Sequence, residues 1–183
     1  MRTMTYGSTL TEHLPDVFPD QWAREMIRYM SFHQELLIGI VAGLFLLSVL
    51  CTRKQNWILL ALYGAGMIYL TVLSREAGSR WVSLSPFWSY RLVPISPYFQ
   101  RQVINNILLF VPVGTLLFRI RPKWNTLFSP FFVSLGVEVL QYLTGRGLFE
   151  IDDLISNTIG GLIGCAAVFV WESARQMIRG IEK

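Results

Sequence analysis

The stretch from Phe131 to Trp171, FFVSLGVEVLQYLTGRGLFEIDDLISNTIGGLIGCAAVFVW, decides the fold, because it sets acids and amides inside segments otherwise apolar enough to cross a bilayer. Glu138 and Gln141 stand three residues apart and share a helical face with Ser134. Asp153, Asn157, Gly160 and Gly164 line one face of the helix that follows. A carboxylate at membrane depth costs at least ~2.5 to 3.5 kcal/mol and normally faces a protein interior or a wet cavity, so the two polar stripes are expected to face each other. A functional site, if the chain has one, belongs there.

The rest of the chain agrees with a membrane setting. Of its 183 residues 52% are hydrophobic, and mean hydropathy is +0.43, with apolar residues in blocks rather than at soluble-domain periods. The net charge of +4 and a pI near 9.3 would suggest nucleic acid in a soluble domain. Here the basic residues cluster at the ends of apolar runs, where topology and anionic lipid account for them, so nucleic acid is not the expected partner. Cys51 and Cys165 lie at or within apolar runs without ligand spacing, so neither a disulfide framework nor a metal or other cofactor is expected.

The expected fold is all-α, a polytopic membrane bundle of about five transmembrane helices with an N-terminal interfacial helix. Met1 to Asp20 is polar and lacks the pattern of a signal peptide. Trp22, Met26, Ile27 and Met30 recur at helical spacing opposite Arg24, Glu25 and Arg28, which reads either as a short interfacial helix or as a polar lead-in. The chain thus divides into a polar segment over residues 1–31, a bundle over 32–171 and a basic tail over 172–183. Spans are expected near residues 32–51, 57–73, 103–120, 124–143 and 151–171. His33, Gln34 and Glu35 shorten the strictly apolar part of the first to Leu36 through Leu50.

Short loops holding Arg53 and Lys54, then Arg119, Arg121 and Lys123, and the tail with Arg175, Arg179 and Lys183 fall on one side, which the positive-inside rule makes cytoplasmic. Basic residues number eight on each side, so the assignment rests on their density in short loops. It puts the N terminus, the loop from Ser74 to Gln102 and the turn from Gly145 to Glu150 outside. That outer loop interleaves Trp81, Phe87, Trp88, Tyr90, Tyr98 and Phe99 with Arg75, Arg80, Arg91 and Arg101. It reads either as an interfacial aromatic belt or as a pocket for a lipid headgroup or lipid phosphate.

The third span carries Asn105 and Asn106 near its outer end and Pro112 in its middle. The proline leaves the carbonyl near Leu108 without its usual partner and kinks the helix. Adjacent asparagines point ~100° apart, so at most one need face the polar centre. Gly160 and Gly164 have the spacing that lets helix backbones approach closely, a packing feature first.

Taken in order, NNILLFVPVGTLLF, then Glu138 with Gln141, then IDDLISNTIGGLIG resemble the core signature of the VanZ-like family, and Ser74/Arg75 with LSPFWSY from Leu84 to Tyr90 fit the same pattern upstream. The resemblance spans about residues 57–171, and nothing in it explains the first span. It implies a bacterial envelope protein of the cytoplasmic membrane that lowers susceptibility to a lipoglycopeptide, teicoplanin, without the ligase chemistry that remodels peptidoglycan termini.

Three mechanisms are compatible with these residues. The favoured one is binding or modulation of an envelope lipid or lipid-linked cell-wall precursor. Its expected binding set is Arg75, Arg80, Arg91, Asn105, Asn106, Glu138, Gln141, Arg146, Asp152, Asp153 and Asn157. The second is an intramembrane acid/base enzyme with Glu138, Asp152 and Asp153 as candidate catalytic residues, although no nucleophile motif accompanies them. The third is a proton-coupled lipid transporter, for which five spans without an internal repeat call for a homo-oligomer. Plainer readings compete. Asp152 follows Glu150 at a helix N-terminus, where negative charge is favourable in itself. Glu138 paired with Arg75 or Arg146 would simply lock the bundle.

Overall fold

A computed structural model describes residues 20–75 and 82–181. Among the described residues there are five α-helices: α1 (Asp20–Leu50), α2 (Arg53–Ile68), α3 (Pro97–Ile120), α4 (Ser129–Thr144) and α5 (Ile151–Ile181). A π-helical turn, Tyr69–Leu73, extends α2, and a 3-10 turn, Trp124–Phe128, leads into α4. Two short strands, β1 (Val82–Ser83) and β2 (Phe149–Glu150), pair in parallel, with Val82 opposite Phe149 and Ser83 opposite Glu150.

Among the described residues, four segments are long and apolar enough to cross a membrane: Arg53–Leu73, Pro97–Ile120, Trp124–Thr144 and Ile151–Gly180. In α1 the apolar stretch is shorter, Gln34–Leu50, at the lower limit of what a bilayer core of ~30 Å requires. Residues 20–31, which the sequence leaves as either a short interfacial helix or a polar lead-in, run without a break into that stretch as one helix of 31 residues.

Local signals set the ends. Thr52 and Gln55 form a capping box that starts α2 immediately after α1. Pro97 opens α3, where its missing N–H has no partner to lose. Gly145, at φ 64°, closes α4 in the left-handed conformation, its N–H directed to the carbonyls of Gln141 and Tyr142.

Helix α3 is the centre, with a buried run from Phe110 to Leu116 and neighbours α1, α2 and α5 around it. Its closest partner is α5, which runs parallel to it. The contact is backbone against backbone: a Cβ on Gly160 would overlap the Ile107 carbonyl, one on Gly164 the Val111 carbonyl, and one on Gly114 the Gly161 carbonyl. On the other side, Phe110 and Val113 pack against Met67 of α2 and Val137 of α4. Leu46, Leu62, Leu70, Phe132, Phe169 and Val170 are exposed around the outside, as lipid contact requires.

Pro112 lies inside α3, where it removes one donor from the helix ladder. Tyr63 Oη donates to the Leu109 carbonyl at 2.6 Å, supplying a side-chain donor from α2 beside the gap in the α3 ladder. At the end of the bundle shared by the α1 C-terminus, Arg119 donates to the carbonyls of Ser48 (3.0 Å) and Val49 (3.4 Å) and pairs with Glu172. Asn56 joins it on the Ser48 carbonyl at 3.1 Å. One arginine thus ties α1, α3 and α5 together at that end.

Candidate functional site

The opposite end is acidic, and four elements build it. Glu138 comes from α4, Glu150 from β2, Asp152 and Asp153 from the first turn of α5, and Gln102 and Asn106 from α3. Glu138 and Glu150 are 2% and 7% exposed. The Glu150 backbone N–H donates to Glu138 Oε2 at 3.2 Å, which fixes the turn between α4 and α5 over the Glu138 carboxyl group. Gln102 Nε2 lies 3.4 Å from both Glu150 Oε2 and Asp153 Oδ1, bridging them from α3. The Asn106 amide is directed to Asp153 without meeting hydrogen-bond geometry. Arg75 acts electrostatically on Glu138, Glu150 and Asp153, at a range longer than an ion pair.

The expectation that the two polar stripes meet holds one helical turn deeper. Asn157 Nδ2 donates to Ser134 Oγ at 3.0 Å, joining α5 to α4 in the buried interior. Asn157 Oδ1 and Asn105 Oδ1 are buried and accept no hydrogen bond.

Asp152 does something different from its neighbour. Its Oδ1 accepts from the Phe87 N–H at 2.6 Å, and its Oδ2 from the Ser89 N–H at 2.8 Å and the Ser89 hydroxyl at 2.6 Å. Tyr90 and Ser156 share a further hydrogen bond of 2.7 Å. The aromatic loop is therefore pinned along the start of α5, and the Asp152 carboxylate is occupied in holding it.

Other residues expected at the site lie to one side. Gln141 reaches across to the Thr71 carbonyl at 3.0 Å, and Arg146 to the Leu73 carbonyl at 2.8 Å, so both secure the π-helical end of α2. Arg146 is thereby spent on a carbonyl, and neither it nor Arg75 forms an ion pair with Glu138. Arg75 packs near Gly147 and Gln141, where a Gly147 Cβ would come within 3.2 Å of its Nη1. Arg91 is exposed on the loop. Arg80 lies outside the described residues. Among the described residues, no group of three His, Cys, Asp or Glu side chains is placed to hold a metal ion.

Sequence reasoning left Glu150 and Gln102 out of the site. The signal was present in the acidic run Glu150, Asp152, Asp153, whose first member is turned inward by its pairing with β1. Burial, then Asp153 and Asp152, push Glu150 from an ordinary 4.5 up to about 7, while Gln102 and Arg75 act in the opposite direction. Glu138 and Tyr98 face it as well.

Folded Glu150 keeps its proton in a range where the unfolded chain has lost it. Its favourable contribution is complete below the unfolded value and disappears as pH rises through about 7. The amount is on the order of 3 kcal/mol at most. Thermal stability in detergent is therefore expected to fall between about pH 5 and about pH 8, and Glu150→Gln should flatten that fall. An unchanged slope in the variant would assign the pH dependence to other groups.

A bundle of apolar helices with acids and amides gathered at one end defines a helical membrane protein with a polar terminal site. The VanZ/LLP1 family model matches residues 56–172, more than half of the chain. Protein VanZ of Enterococcus faecium is 32% identical over 117 residues, covering 58% of this chain and 68% of that protein. The chain belongs to the VanZ/LLP1 family. No solved structure matches it. The matched region runs from α2 into α5 and contains every site residue described above, whereas α1 precedes it.

Proposed function

We propose that this protein is a bacterial cytoplasmic-membrane protein that lowers susceptibility to teicoplanin-type lipoglycopeptides by binding an envelope lipid or lipid-linked precursor at its acidic end. The carrying observation is the pinned loop: Asp152 holds the aromatic segment beside Glu150 and Asp153, with Arg75 exposed at the same end. Leu84, Phe87 and Ile95 are exposed there too, giving apolar and aromatic contacts at headgroup level around a polar centre. Family membership supports the resistance role, and the relative's name connects it to VanZ.

We place the acidic end outside the cell. Arg53 and Lys54, then Arg119, Arg121 and Lys123, and finally Arg175 and Arg179 gather at the opposite end, in short connections and the C-terminal part of α5. A lipoglycopeptide and its lipid-linked targets meet the membrane from outside, which matches that orientation.

The test is drug susceptibility of a sensitive bacterium expressing the protein. Wild type should protect against teicoplanin more than against a glycopeptide lacking the acyl chain. Glu138→Gln should remove the protection while leaving the amount of membrane-inserted protein unchanged. Full protection by Glu138→Gln would show that the charge and proton of Glu138 play no part.

A second reading, acid/base chemistry on an envelope lipid, is favoured by Glu150, a buried carboxyl group that titrates near neutrality. A change in the mass of an extracted lipid, dependent on Glu150, would support turnover in place of binding.

A further inference from the structure

The acidic end is short of donors. Glu138, Glu150 and Asp153 together receive the Glu150 N–H at 3.2 Å and the shared Gln102 amide at 3.4 Å, with the Asn106 amide directed to Asp153 outside hydrogen-bond geometry. Asp152, one residue from Asp153, receives three donors at 2.6 to 2.8 Å. An ionised carboxylate has about four acceptor sites, so most of those on the first three acids are open once the acids are ionised.

The layer beneath repeats the imbalance. Ser134 lies one turn below Glu138, Asn157 one turn below Asp153, and Asn105 one turn below Gln102. Asn157, only 4% exposed, gives its Nδ2 to Ser134 and leaves its Oδ1 unpartnered, and Asn105 Oδ1 is likewise without a donor. Buried acceptors without donors are costly unless something supplies the protons.

Charge points the same way. Arg75 acts on all three carboxyl groups, so a phosphate arriving alone would meet more negative than positive charge among these groups. A ligand that brings both a cation and N–H donors corrects both deficits. A primary ammonium group carries one positive charge and three donors, with no acceptor of its own.

We propose that this site binds a primary ammonium group, carried by the zwitterionic headgroup of an aminophospholipid, with the ammonium against Glu138, Glu150 and Asp153 and the phosphate on Arg75. The inference rests on the lipid-binding reading and sharpens it. Leu84, Phe87 and Ile95 are exposed at the same end, where they would keep the headgroup at the membrane surface.

Native mass spectrometry of the full-length protein tests it. The protein is presented with phosphatidylethanolamine, phosphatidylcholine and phosphatidylglycerol of identical acyl chains, and with soluble glycerophosphoethanolamine. Phosphatidylethanolamine should be retained about tenfold better than phosphatidylcholine, whose trimethylated nitrogen keeps the charge and loses every N–H donor. Glu150→Gln should reduce that preference. Retention should rise with pH through about 7, as Glu150 ionises.

Equal retention of the two zwitterionic lipids would overturn the ammonium assignment without any variant having to fold. Preference for phosphatidylglycerol, lost in Arg75→Ala, would overturn it and leave the lipid-binding reading standing. Retention of no lipid would overturn both. Displacement of phosphatidylethanolamine by an equal concentration of glycerophosphoethanolamine would uphold the ammonium site and overturn the bilayer as its source.

Discussion

Gly160→Val is expected to prevent the bundle from assembling. The added Cβ alone would overlap the carbonyl of Ile107, and its second contact is the carbonyl carbon of the same residue. These are backbone atoms in the middle of a helix, so no side-chain rotation relieves the overlap, and α3 and α5 must separate along the contact that also holds Gly164 against Val111. Overpacking in a core that can adjust costs ~1 to 3 kcal/mol, and a branched side chain against fixed backbone should exceed that range. The expected result is loss of monodisperse protein after detergent extraction. Gly160→Ala should be impaired to a lesser degree, whereas Gly136→Ala, with nothing within 4 Å of the added carbon, should behave as wild type. Normal yield and thermal midpoint for Gly160→Val would mean that α3 and α5 do not approach this closely.

Asp152→Ala should release the aromatic loop. Three donors lose their acceptor at once, and each buried donor left unsatisfied costs ~1 to 3 kcal/mol. Phe87 adds to the effect, because it sits at φ 64°, a left-handed conformation that a phenylalanine adopts at a cost of ~1 to 3 kcal/mol and that its bond to Asp152 sustains. Together these should destabilise the loop by several kcal/mol, enough to expose it to a protease that leaves wild type intact. Asp152→Asn, which keeps the shape and one acceptor oxygen, should be intermediate. Hydrogen exchange at Phe87 and Ser89 gives a second measure, and protection unchanged in Asp152→Ala would rule out the clamp. Loss of teicoplanin protection in the same variant would connect the loop to function.

The sequence made the helices legible because the apolar blocks, Pro97, Gly145 and the Thr52 box are local signals, read within a few residues of where they act. The pairing of the Glu138 and Asp153 stripes was legible as well, since buried polar groups in a membrane have few alternatives to one another. What the sequence could not assign was the partner of each side chain. Gln141 and Arg146 look like members of the site by spacing, yet the carbonyls of Thr71 and Leu73 in the π-helical turn of α2 claim them. Asp152 and Asp153 are adjacent, and a rotation of ~100° between them sends one to the loop and the other to the interior. Glu150 enters the site only because β2 pairs with β1, a contact between residues more than sixty positions apart in the chain.

The same strand pair constrains how the gene can vary. Ser83 is tied to Glu150 through the β1–β2 pairing, and Phe87 is tied to Asp152 through its N–H. A spacing of four positions on one segment is thus matched to a spacing of two on the other, with both ends fastened. An insertion or deletion between Ser83 and Phe87 would break one of the two attachments, and a compensating change in the Gly145 to Glu150 turn would disturb the Glu150 bond to Glu138. Length in this short segment is therefore expected to be as strictly inherited as any side chain of the site, even where the residues filling it are exchanged.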